Sequence, residues 1–187
     1  MRIVKKTYKV FKFSELEKET QEKVIEKLYN INVEYDWWAD DCIYEEIAEK
    51  YGLEINISEI CFDLDRSNFC YFETYNHGQK DNYTKGIFID NYSKFIKKAG
   101  LKENKELKEN NFYIDHKHYG GGNGKNYIEG DNLTEKELEK LETCLESFTE
   151  EILSQLKRNY NYLTSEKSII DTIEANEYDF LENGEMF

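Results

Sequence analysis

Proline is absent from all 187 residues, histidine occurs three times and tryptophan twice. No apolar run approaches the roughly 20 residues of a membrane-spanning helix. Without proline there is no polyproline linker and no proline-kinked helix. Cationic side chains are also scarce. Lys and Arg total 25 against 39 Asp and Glu, a formal net charge of -14, so the summed field repels nucleic-acid phosphates and anionic bilayers. Direct nucleic-acid and membrane partners are therefore not expected, whereas a basic protein surface is electrostatically compatible.

The four cysteines, Cys42, Cys61, Cys70 and Cys144, include no CxxC pair, so neither a zinc knuckle nor a disulfide framework is expected, and all four read as buried thiols. Residues 1–12 lack the continuous apolar core of a signal peptide, which implies an intracellular, soluble protein. No GxSxG, HExxH or GxxxxGK[ST] pattern occurs, and Glu45/Glu46 or Asp63/Asp65 are adjacent carboxylates of the kind that 39 acidic residues produce by chance. No catalytic residue, cofactor or metal centre is assigned.

What the chain does have is aromatic residues, 15 Tyr and 11 Phe, enough with its aliphatics to oppose disorder despite the charge. The organising stretch is 134–165. Leu138, Leu141, Leu145, Phe148, Ile152 and Leu156 recur at spacings of three and four, the period of a helix with one apolar stripe. Thr134 and Glu137 form a capping box at its start. Before it, alternation over 3–13 predicts a strand, Ser14 and Glu17 a capping box for a helix to about Asn30, and 34–52 a second helix stopped by Gly52. Segments 53–63 and 68–75 predict a hairpin about Asp65, Arg66 and Ser67, followed by a polar loop over 76–85. A short helix over 91–99 is stopped by Gly100. Strands over 112–119 and 126–129 flank the glycine turn 120–124, and a final helix over 165–174 is capped by Ser165. The expected fold is α+β, an antiparallel sheet flanked by helices with a long C-terminal helix, in a single domain over 1–187.

Two clusters carry chemistry. On the helix expected over 34–52, Asp36, Asp40, Asp41 and Glu45 line an acidic outer face. Trp37 and Trp38, about 100° apart on a helix, cannot both point inward, so Trp37 is a candidate apolar anchor for a partner. On the strand over 112–119, His116 and His118 project to one face, with Asp115 on the other. Two imidazoles two residues apart can share a metal ion, but a third ligand would have to come from elsewhere, such as His77 or Asp63. Gly121 and Gly122 in the adjoining turn make a flexible hairpin tip suited to partner contact rather than a phosphate loop.

The tail Gln155-Leu156-Lys157-Arg158-Asn159-Tyr160-Asn161-Tyr162-Leu163-Thr164-Ser165, continued by Ile173-Glu174-Ala175-Asn176-Glu177-Tyr178-Asp179-Phe180 and Glu182-Asn183-Gly184, resembles the C-terminal end of a family of uncharacterised phage and prophage accessory proteins. Phe13-Ser14-Glu15-Leu16 with Lys23, then Trp37 and Trp38, look like its opening motif. Many members carry a Gln-Gly-Asp-Gly run where this chain has Asp65-Arg66-Ser67-Asn68, and some bear an antitoxin label. The resemblance implies a mobile-element origin and the character of inhibitors of bacterial defence. The leading expectation is a non-enzymatic anti-CRISPR protein in the host cytoplasm, its acidic face occupying basic groups of an RNA-guided effector. The alternatives are an antitoxin-like or housekeeping phage protein that binds another protein, or an enzyme or sponge for a signalling nucleotide.

Overall fold

A computed structural model describes residues 6–39, 42–74, 86–105, 107–108, 111–119 and 123–187. The fold is α+β with a long helix near the C-terminus, as the mixture of periodicities implies. The chain divides into two compact units, residues 1–37 with 158–187, and residues 38–157.

In the first unit, β1 (Phe11–Lys12) pairs antiparallel with a late strand, β8 (Asp179–Phe180). A 3-10 turn (Phe13–Glu15) follows, then helix α1 (Lys18–Lys27). Over its described residues, 6–13, the strand expected over 3–13 is thus corrected to two residues. Residues 6–10 are exposed and outside regular structure, because among the described residues no partner strand extends past the Phe11–Phe180 pair. The Ser14–Glu17 capping box is not formed either. Glu15 instead accepts from the Lys12 amide at 2.7 Å, and Glu17 itself stands at the N-cap. The core of this unit is Phe13, Leu16, Val24, Ile169, Ile173 and Phe180. Its second helix, α5 (Glu166–Ala175), begins as expected, with the Ser165 hydroxyl accepting from the Ser168 amide at 3.3 Å.

In the second unit, helix α2 (Ile43–Tyr51) ends at Gly52, whose φ of +75° and close approach to the Asn91 carbonyl suit only a residue without Cβ. Strand β2 (Leu53–Ile55) pairs not with its neighbour in sequence but with β5 (Ile87–Ile89). A 3-10 turn at Ile57–Glu59, capped by Asn56, breaks the alternation and leaves Ile57 half-buried. The expected hairpin survives as β3 (Ile60–Asp63) and β4 (Phe69–Phe72), with Asp63 paired to Phe69. Asp63 accepts from the amides of Asp65, Arg66 and Ser67 and organises the turn. Helix α3 (Tyr92–Lys98) and β6 (Phe112–Tyr119) lie where the patterns put them, while β7 (Asn123–Gly130) begins inside the turn expected over 120–124, since Asn123 and Gly124 pair with Tyr119 and His118.

The long helix α4 (Glu135–Leu163) has the expected capping box. The Thr134 amide donates to Glu137 Oε2 at 3.0 Å, and the Glu137 amide to Thr134 Oγ1 at 3.3 Å. Of its apolar stripe, Leu141, Leu145, Phe148, Ile152 and Leu156 are buried, while Leu138 is half-buried. Phe148 carries the aromatic core of this unit, its ring 5.5 Å from Tyr51 and 6.0 Å from Phe72 between centroids. Cys70 and Cys144 are buried as expected, but Cys61 is half-buried and Cys42 is exposed.

Tyr51 is nearly buried and donates its hydroxyl to Glu151 at 3.1 Å. Burial, reinforced by that carboxylate, pushes its ionisation up to about 12. A folded value above the unfolded one near 10 means that the native state holds the proton more tightly. The contribution is therefore present below about pH 10 and lost as pH rises toward about 12. Tyr51→Phe is expected to flatten the fall of the urea midpoint across that window. An unchanged slope would show that this phenol does not govern alkaline stability.

Candidate functional site: a hydroxyl–histidine cluster between two hairpins

Strand β4 pairs with β3 on one edge, and the Glu73 amide just beyond it also reaches back, to the Glu59 carbonyl. Alternation places the amides of Phe72 and Thr74 on the other edge, where no strand pairs among the described residues. Side chains of the neighbouring hairpin satisfy them. The Phe72 amide donates to Asn126 Oδ1 at 2.8 Å, and Asn126 Nδ2 returns a bond to the Phe72 carbonyl at 2.8 Å. The buried carboxamide thus does what a strand residue would do in a ladder. The Thr74 amide donates to His116 Nδ1 at 2.9 Å.

Register explains the convergence. His116 stands opposite Asn126 and His118 opposite Gly124 across β6 and β7, so all four share one face of the hairpin. Tyr71 lies over that face. Its ring stacks on His116 and meets His118 edge-on, and its hydroxyl oxygen is 3.1 Å from His118 Nδ1. A Cβ on Gly124 would come within 2.5 Å of the Tyr71 ring, so glycine is what lets the ring lie down. Burial, with a hydrogen bond to Cys61, pushes the Tyr71 hydroxyl far above its ordinary value, so the phenol stays protonated.

The two imidazoles meet through their outer nitrogens, with His116 Nε2 and His118 Nε2 3.0 Å apart. Thr74 Oγ1 lies 2.7 Å from His116 Nδ1 and donates to Asp115 Oδ1 at 2.5 Å. Asp115, which alternation puts on the opposite face, folds back to accept from the His116 amide at 2.7 Å and so joins the cluster from behind. His116 is half-buried and His118 exposed. Among the described residues no group of three or more His, Cys, Asp or Glu is arranged to hold a metal ion. Of the two candidates for a third ligand, Asp63 is engaged in its own turn, accepting from the amides of Asp65, Arg66 and Ser67, and His77 lies outside the described residues, as do Gly121, Gly122 and the polar segment 76–85.

The acidic cluster is rearranged. The helix expected over 34–52 begins only at Ile43. Asp36 and Trp37 precede it, and Asp40 and Asp41 lie outside the described residues. In the first unit Trp37 packs on Tyr160, their ring centroids 5.8 Å apart, and in the second Trp38 packs edge-on against Phe62 at 5.1 Å. Trp37 is half-buried, and Asp36 is exposed. Glu45 remains on the exposed face of α2, where it lines a concavity of about 460 Å³ together with Glu46, Glu49, Glu54 and Asp90. Among the described residues, none of these five carboxylates is ion-paired.

Sequence reasoning missed Tyr71, Thr74, Gly124 and Asn126. A signal existed in the last two, since Gly and Asn are poor strand formers and both share the parity of the histidines. No family model, curated protein or solved structure matches this chain. No described helix is long and apolar enough to cross a membrane.

Two variants test the site's construction. Asn126→Ala leaves the buried Phe72 amide and carbonyl unpartnered, and urea unfolding should register a loss of about 2–5 kcal/mol. A loss below about 1 kcal/mol would mean that water replaces the carboxamide. Gly124→Ala should cost about 1–3 kcal/mol by overpacking and displace the Tyr71 ring, read as a change in the His118 ring resonances. Unshifted resonances would contradict the contact.

Proposed function

We propose that this protein is a non-enzymatic, phage- or prophage-derived inhibitor of a bacterial antiviral defence system, acting in the host cytoplasm by binding a basic protein surface. An RNA-guided effector is the target class with the best electrostatic match, since its channel holds guide and target phosphates with Lys and Arg. One observation carries the reading. In a chain of net charge -14, the exposed carboxylates Glu45, Glu46, Glu49, Glu54 and Asp90 surround one concavity on the second unit. Like charges held together without cationic partners repel one another, and a basic partner relieves that repulsion. Such a surface raises the association rate with a cationic groove and competes with its natural polyanion. Asp36, exposed, and Trp37, half-buried, remain candidate contacts contributed by the first unit.

The decisive experiment is plaquing efficiency on bacteria that express the protein beside one defence system at a time, with several RNA-guided effectors included. Restored plaquing on one system is the expected result. Restoration on none would favour the antitoxin-like or housekeeping alternative. Against the responsive target, Glu45→Gln, Glu46→Gln and Glu49→Gln combined should weaken binding about 10–100-fold at low salt and flatten its salt dependence. Unchanged binding by that variant would rule out the acidic face as the contact.

A further inference from the structure

We propose that His116 and His118 form a two-imidazole site for a divalent transition-metal ion of the zinc–nickel–copper class, held in shape by hydroxyl groups behind each ring. The inference is independent of the defence-inhibitor reading and rests on four observations.

The Nε2 atoms converge to 3.0 Å. Two imidazoles bound to one tetrahedral zinc at about 2.0–2.1 Å have nitrogens roughly 3.3 Å apart, so the rings need part by only a few tenths of an ångström. Each inner nitrogen faces a hydroxyl oxygen, His116 Nδ1 that of Thr74 at 2.7 Å and His118 Nδ1 that of Tyr71 at 3.1 Å. Both oxygens can accept, because Thr74 sends its proton to Asp115 and a phenol oxygen keeps acceptor lone pairs while its own proton points elsewhere. A ring that gives its Nδ1 proton to such an acceptor presents a bare Nε2 lone pair, the arrangement by which proteins fix histidine ligands. Finally, His118 is exposed, which leaves the remaining coordination positions to water.

The Thr74 amide defines the metal-free state. An N–H can only donate, so while it engages His116 Nδ1 the ring's proton sits on Nε2 and is given to His118 Nε2. Binding a metal moves that proton from Nε2 to Nδ1, where Thr74 Oγ1 receives it and the amide bond is given up. No proton leaves the neutral pair. Oxygen-seeking Mg²⁺ and Ca²⁺ are not expected to bind at two imidazoles.

Calorimetric titration of the full chain with Zn²⁺ and Ni²⁺, with Mg²⁺ as control, tests the proposal. One ion per chain is expected for each transition metal and none for Mg²⁺. His118→Ala, which changes an exposed side chain, should abolish binding with the circular dichroism spectrum unchanged. Thr74→Val should weaken it about 10–100-fold. Nitrogen-15 spectra should show the His116 proton shifting from Nε2 to Nδ1 on Zn²⁺ addition, which a purely structural histidine would not do. Absence of binding by the wild-type chain, or binding retained in His118→Ala, would overturn the assignment.

Discussion

The second unit depends on one carboxamide. Asn126 presents an acceptor and a donor to the peptide of Phe72, each at 2.8 Å, and so joins two hairpins whose backbones do not pair with each other. A buried strand edge with unmet amides would be costly. A third full strand pairing would satisfy it, but that would require backbone within ladder distance along the whole of β4. A side chain reaches farther, and the space it spans holds Tyr71, His116 and His118 instead of peptide. The polar cluster exists because the seam is closed by side chains.

That construction separates two demands that compete elsewhere in the chain. The aromatic core around Phe148, Phe72 and Tyr51 is contributed by α4, β4 and α2, so burial of large rings holds the unit together. The carboxylates are free to concentrate outside. Glu45, Glu46 and Glu49 share a helix whose opposite side buries Tyr44, Ile47, Ala48 and Tyr51. Repulsion of a few tenths of a kcal/mol between neighbours on such a face is small beside the roughly 1.5–3 kcal/mol that each buried large side chain contributes. The acidic face of α2 is thus tolerated although, among the described residues, none of its carboxylates is ion-paired.

Local signals read well where one rule acted alone. The α4 stripe, the Thr134–Glu137 and Ser165 caps, the Gly52 stop and the β6–β7 hairpin follow from periodicity and capping, and the structure has them. Readings failed where a distant partner decided. Alternation over 3–13 implied a strand, but among its described residues only Phe11 and Lys12 find strand pairing, with residues far along the chain. The helix expected from 34 begins only at Ile43, and the two tryptophans ahead of it each pack on an aromatic ring far along the chain, Tyr160 and Phe62. Strand β2 looks like the first half of a hairpin and instead pairs with β5. At the site, strand parity brought His116 and His118 together correctly but could not supply Tyr71 and Thr74, which lie more than 40 residues earlier. Nor could it foresee that Asp115 would fold back onto its own strand.

The position of the histidines along the seam gives them a mechanical relation to Asn126. His116 is its cross-strand partner, and Thr74 is two residues beyond Phe72, so the two side-chain-to-amide bonds occupy consecutive places on the β4 edge. The Asn126 bond is buried and reciprocal. The His116 bond is single, and Thr74 Oγ1 stands ready as a second partner for the same nitrogen. An edge closed by one strong and one exchangeable bond can change at its outer end without opening at its inner one. Rearrangement at the histidines, whatever drives it, is therefore confined to Thr74 and the hydroxyls beside it, and the aromatic core behind Phe72 stays closed.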